Sequence, residues 1–262
     1  MDKRYVLLYY AVKHKGDFET MVAAIKTKEE INKEELNLFI DRYEGRFITI
    51  LDEKYPQKLS ELYRPPLVLF YKGNIDLLDD KTKKYVAFVG SRHASQESRD
   101  NTFAAAKGVS DSKNIVVSGL AKGIDTSAAL GALESGLFIG VVGSGLDMYY
   151  PKENKHLQDA VGEKCLLITE YPDGIGPSGS HFPERNRIVV GLSQVVVVGE
   201  GRDKSGTIIS TVLAIEHNRM LAAFPTAPNK EIINNRLIHD GAYLVQDAND
   251  ILDLFNPTKQ IY

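Results

Sequence analysis

Six short apolar runs, rich in β-branched residues, punctuate the chain at 86–89, 115–117, 138–142, 166–169, 195–198 and 221–224. Between them lie stretches with helical character at 100–110, 125–134 and 207–218. A run that is apolar at every position has both faces to bury, which a strand does when helices cover the sheet on both sides. Strand, helix, strand in alternation predicts a parallel, doubly wound α/β sheet. No fixed-period repeat or low-complexity tract competes with that reading.

The segment before this pattern reads differently. Leu36, Phe39, Ile40 and Tyr43 recur at i, i+3, i+4 and i+7, one face of an amphipathic helix closed by Gly45. A strand-like run follows at 47–51, and the adjacent prolines Pro65 and Pro66 force an extended entry into 67–71. The polar stretch 81–84 is the expected boundary. Residues 1–80 are then a small N-terminal helical appendage with lead-in strands, and 81–262 the α/β domain.

Composition narrows the function classes. At 43% hydrophobic residues, the 262-residue chain can bury a core, so wholesale disorder is excluded. No apolar run approaches the ~20 residues of a membrane helix, and MDKRYVLLYY lacks the layout of a cleavable signal. The lone cysteine, Cys165, cannot form an internal disulfide or a thiolate zinc site, which suits a reducing cytosol. Net charge is -3, from 32 Lys and Arg against 35 Asp and Glu. Any nucleic-acid binding must therefore use a local patch.

Small residues cluster where the strands of a parallel sheet end, the edge at which such sheets bind ligands. Gly90, Ser91 and Arg92 follow the first run; Ser118, Gly119, Lys122 and Gly123 follow the second; Gly143 and Gly145 follow the third; Ser205, Gly206 and Thr207 open a later helix. Any one such loop is adequately explained as a tight turn, with Ser205 as an N-cap. Four at one edge, two of them with cations, point to phosphate, which main-chain N–H groups at helix starts attract. The nucleotide signatures fail on spacing. G-x-G-x-x-G breaks at Met148 and again at Lys204, and Thr207 stands where a P-loop requires lysine. A phosphate site without a cofactor signature fits a polynucleotide backbone, and no cofactor is expected.

The segment His181–Arg187 reads HFPERNR between a glycine-rich stretch, 174–180, and an apolar run, 188–192. Arg185 and Arg187 can neutralise phosphates, Phe182 can stack on an unpaired base, and Asn186 can fix a loop or read an edge. The plainer reading makes Phe182 core and pairs the arginines with Glu184 or Glu170.

Taken together, VGSR, SGLAKGID, GSGLDMYYP, EYP, FPERNRIVVGLS, SGTIIST and LIHDGA resemble the DprA/Smf family of DNA-processing proteins, collinearly from about Tyr55 to Leu252. The resemblance implies an extended Rossmann-like domain that binds single-stranded DNA without sequence preference. It also implies protection of incoming strands in natural transformation, loading of the RecA recombinase, a homodimer and a cytoplasmic location. Carried over by position, the DNA-binding residues are Gly90, Ser91, Arg92, Ser118, Gly119, Lys122, Gly123, Phe182, Arg185, Asn186, Arg187, Ser205, Gly206 and Thr207. Leu237, Ile238 and Leu244 fall in the region that makes dimer or recombinase contacts, although their spacing suits plain core equally well. The chain departs from the family pattern at Lys122 (usually arginine), Ala129 (usually histidine), and Thr226 and Ile233 (usually glycine). A lysine keeps the charge but loses the bidentate fork. With Tyr262 as the last residue, the winged-helix domain of many members is not expected.

The competing reading is an enzyme: related folds cleave nucleoside monophosphates at the glycosidic bond with a positioned acid, for which Glu200, Glu216 or Asp125 would serve. Asp125 is otherwise expected to be a helix N-cap. The six histidines show no paired ligand spacing, and Cys165 begins an apolar run, so no catalytic residue and no metal ligand is assigned.

Overall fold

The computed structural model describes residues 2–203, 205–228 and 231–256. Three helices come first: α1 (Lys3–Lys13), α2 (Phe18–Thr27) and α3 (Lys33–Arg42). Asp2, Asp17 and Asn32 cap them, each accepting main-chain N–H bonds of the first turn. β1 (Phe47–Thr49), the short α4 (Gln57–Ser60) and β2 (Val68–Gly73) lead into the α/β pattern. That pattern runs β3 (Tyr85–Val89), α5 (Gln96–Asp111), β4 (Ile115–Ser118), α6 (Ile124–Ala132), β5 (Phe138–Val141), α7 (Lys155–Lys164) and β6 (Leu166–Thr169). It continues with α8 (His181–Leu192), β7 (Val195–Val198), α9 (Gly206–Glu216), β8 (Met220–Ala223), α10 (Asn234–His239), β9 (Tyr243–Leu244) and α11 (Ala248–Asp253).

The nine strands among the described residues join one sheet in the order β1-β2-β6-β5-β4-β3-β7-β8-β9. Pairing is parallel from β6 through β9 and antiparallel where β1 meets β2 and β2 meets β6. The expected doubly wound, mostly parallel sheet is present, and each of the six apolar runs is one of its strands. β2 hydrogen-bonds to β6, so the lead-in strands extend this sheet.

Alternation along the strands feeds two cores. On β3, Val86 and Phe88 face a core shared with α1, α5, α6 and α7, whereas Tyr85, Ala87 and Val89 face one shared with α4, α8 and α9. One consequence decides where a ligand can sit. From β3 the chain winds outward through β4, β5 and β6, then returns to β7 on the opposite side of β3. The loops leaving β3 and β7 therefore diverge and open a crevice between them, the switch point of an open α/β sheet.

Candidate functional site

A cavity of about 420 Å³ occupies this crevice. Its floor is main chain. Gly199 donates to Val89 O at 3.1 Å and Ser91 donates to Glu200 O at 2.6 Å, tying the two diverging loops together. The Ser91 carbonyl accepts from Ile124 N at 3.3 Å, which joins the β4–α6 turn to the same floor. Gly123 in that turn has φ +77°, and a Cβ on it would stand 2.2 Å from Ser91 O, so only glycine fits.

Side chains of α8 build one wall. Pro183 is tolerated in the first helical turn, where no intrahelical N–H bond is lost. Arg185 is buried, lies across Gly119, and donates from Nη1 to Val141 O at 2.8 Å; its Nε has no hydrogen-bond partner among the described residues. Burial holds the Arg185 pKa below the ordinary arginine value, the Asp125 carboxylate works against that, and the Arg92 charge adds to it. Burial likewise raises the Asp125 pKa, opposed first by Arg185. Asn186 donates to Ser210 Oγ at 3.1 Å and fastens α8 to α9.

The opposite wall is the start of α9. Ser205 is its N-cap, accepting from Thr207 N at 3.3 Å and donating to Arg202 O at 2.6 Å. Gly206 faces open space, and the buried Thr207 Oγ1 has no hydrogen-bond partner among the described residues. Arg202 also lines the cavity, held by Glu200 at 3.6 Å and Glu231 at 3.4 Å. At the mouth stands Arg92, exposed and without a hydrogen bond or ion pair among the described residues, its Cζ 5.0 Å from the centre of the Phe182 ring. Phe182 in turn meets Tyr150 at 5.1 Å between ring centres.

Of the residues singled out in the sequence, the cavity brings together Gly90, Ser91, Arg92, Gly119, Phe182, Arg185, Asn186, Ser205, Gly206 and Thr207. The others lie elsewhere. Ser118 is fully buried and donates to Phe88 O at 2.7 Å. Gly123 packs against Ser91 O outside the cavity lining, and Lys122 Nζ is paired with Glu153 at 2.8 Å. Arg187 is two positions from Arg185 on a helix, roughly 200° around the axis. It points away and forms a buried pair with Glu170 at 2.6 Å, beside a second cavity under the N-terminal helices. Leu237 and Ile238 pack half-buried against the core, and Leu244 is exposed on the edge strand β9. Ile233 packs on Gly201 and its N–H donates to Gly201 O, while Thr226 N donates to Asn235 Oδ1; residues 229–230 of that loop lie outside the described residues.

Of the three carboxylates that could have served an enzyme, Asp125 alone lines the cavity. It is not an N-cap: Gly123 is, and Asp125 sits in the first turn with Oδ2 accepting from Ala121 N at 3.3 Å. Glu200 is buried and accepts from Ser95 N at 2.9 Å, and Glu216 lines a different cavity at the far end of α9. Among the described residues, no cluster of His, Cys, Asp or Glu is placed to hold a metal ion, and no helix is long and apolar enough to cross a membrane.

Two contributors were not singled out from the sequence. Arg202 has the right signal, a cation just past the end of β7. Asn234 has none. Fully buried, it donates from Nδ2 to Val198 O, Gly199 O and Phe224 O at 3.2, 3.1 and 2.9 Å, and its Oδ1 accepts from Gly201 N at 2.8 Å. It holds the β7 loop in place.

The family model for DNA recombination-mediator protein A matches residues 46–256. DNA processing protein DprA of Streptococcus pneumoniae is 44% identical over 210 residues, covering 79% of this chain and 73% of that protein. Protein Smf of Synechocystis is 36% identical over 211 residues, but the chain spans only 53% of its length. Among solved structures, DprA from S. pneumoniae aligns at TM-score 0.77 and 35% identity over 95% of both chains. DprA from Helicobacter pylori, solved for its single-stranded DNA binding mode, aligns at TM-score 0.73 and 27% identity, covering 82% of this chain and 96% of that one. The motifs, the strand order and a family match that runs from β1 past α11 agree: the chain belongs to the DNA recombination-mediator protein A family, the DprA/Smf proteins.

Proposed function

We propose that the switch-point cavity is a single-stranded DNA site that grips the backbone without reading sequence. In this reading the protein works as a cytoplasmic homodimer that protects incoming strands in natural transformation and loads RecA onto them. The observation that carries the binding reading is Arg92: an exposed guanidinium with no hydrogen bond or ion pair among the described residues, steadied over Phe182 at the mouth of the cavity. An unpaired cation beside an aromatic ring matches a phosphate followed by an unstacked base. Arg185 adds a buried cation that Asp125 partly offsets, the Arg202 charge is already met by Glu200 and Glu231, and the net -3 of the whole chain discourages binding elsewhere. The solved H. pylori relative, described by its single-strand binding mode, supports the same ligand.

The test is a salt titration of binding to single- and double-stranded oligonucleotides of mixed sequence. Wild type should prefer the single strand. Arg92→Ala should weaken it and lower the slope of log K against log salt by about one phosphate contact. Unchanged affinity for Arg92→Ala at low salt would remove the assignment. Release of free base from nucleoside monophosphates would favour the hydrolase instead. For the dimer, Leu244→Glu should convert the protein to monomer in light scattering.

A further inference from the structure

Resting on the single-strand reading above, we infer that Tyr150 is the residue that stacks on an unpaired base next to the phosphate at Arg92. Phe182 is the obvious aromatic at the mouth, but its ring is already engaged, by the Arg92 guanidinium at 5.0 Å and by the Tyr150 ring at 5.1 Å and 32°. The three groups form a ladder with Phe182 at its centre. Tyr150 is the end that offers a free aromatic surface, 38% exposed and with no hydrogen bond from its hydroxyl among the described residues.

The other tyrosines nearby are occupied. Tyr171 is buried and stacked on His181, with ring centres 4.0 Å apart. Tyr149 lies under Lys155 Nζ at 4.1 Å. The loop that carries Tyr150 is held from both sides. Gln158 Nε2 donates to Met148 O at 3.0 Å, and Asn154 Nδ2 donates to Leu120 O at 2.9 Å and to Thr126 Oγ1 at 2.8 Å. A ring fixed before the ligand arrives loses little freedom on binding. Of the two carboxylates three positions from Tyr150, Glu153 is paired with Lys122 at 2.8 Å and Asp147 accepts from Gly174 N at 3.0 Å, turned toward that loop. Every base has a π-face, so a stacking platform of this kind adds affinity without adding sequence preference.

The chain contains no tryptophan, which makes Tyr150→Trp a unique fluorescent reporter. Oligo-dT should quench that fluorescence, whereas an abasic oligonucleotide of the same length should bind without quenching. Tyr150→Ala should lose about five- to 100-fold in affinity for oligo-dT and almost none for the abasic chain. Tyr150→Phe should retain wild-type binding to both. Equal losses for the two ligands, or no loss for either, would overturn the role of Tyr150 while leaving the binding site intact. Failure of wild type to bind either ligand would overturn the single-strand reading itself.

Discussion

Arg185 and Gly119 occupy nearly the same space: a Cβ added to Gly119 would stand 1.4 Å from Arg185 Nη1. Relieving such an overlap means moving the guanidinium, whose Nη1 is bonded to Val141 O at 2.8 Å. Gly119→Ala therefore displaces the Arg185 guanidinium from its place on Val141 O. The expected result is a loss of about 1–3 kcal/mol in urea denaturation, together with weaker single-strand binding. A variant with unaltered stability and affinity would show that the two residues are not in contact.

Arg185 and Arg187 should separate binding from stability. Arg187→Ala strands the Glu170 carboxylate in a buried site and should destabilise the fold by about 3–5 kcal/mol. The fraction that remains folded should bind oligonucleotide like wild type. Arg185→Ala should weaken binding in the folded protein. Affinity titrations below the denaturation midpoint would distinguish the two.

The difference between these arginines explains how much of the site could be read in the sequence. Strands such as Val195–Val198 announce themselves because every residue is apolar and every residue is buried. The helix α8 does not. Its first turn holds a proline and follows a glycine-rich stretch, so FPERNR reads as an irregular segment and its arginines as neighbours. Only once it is wound as a helix do Arg185 and Arg187 face opposite ways. The α1 helix is hidden for another reason: Leu7 to Ala11 are buried in succession, which erases the amphipathic period. Nothing local marks β2 as the antiparallel partner of β6, since that pairing depends on elements about a hundred positions away. Asn234 was equally invisible, because a polar residue in a sequence carries no sign that four main-chain groups will converge on it.

Asn234→Leu offers a direct measure of that convergence. It leaves Gly201 N, and three carbonyls, without their buried partner. A loss of about 2–4 kcal/mol in chemical denaturation is expected, along with reduced oligonucleotide affinity as the β7 loop loosens. A fully stable variant with intact binding would refute the role given to Asn234.

Lys58 gives the fold a pH signature. It lies over the Tyr85 ring at 4.3 Å, and burial, assisted by Arg219, brings its pKa down to about 8. Between about pH 8 and the ordinary lysine value near 10.5 the unfolded chain holds a proton that the folded one has released, so this residue's contribution to stability rises with pH. It is lost as pH falls through 8. Relative to Lys58→Met, wild type should therefore gain stability from pH 7.5 to 10. A difference between the two that stays flat with pH would contradict the shift.

Cys165 is buried at the end of α7, and burial pushes its thiol up to about 11. An aromatic disulfide reagent at pH 8 should leave it unmodified in the native protein and react stoichiometrically in denaturant. Rapid native labelling would mean that the β5–β6 region opens more readily than its packing allows.

The crevice between β3 and β7 owes its position to the path of the chain, since the loops leaving two adjacent strands part company there. Recognition and architecture are thereby uncoupled. Randomising the rim at Arg92, Phe182 and Tyr150, while keeping both loop lengths and the Ser91–Glu200 main-chain bond, should leave an open cleft whose preferred guest is free to change, which makes this scaffold a candidate for selecting new anionic ligands.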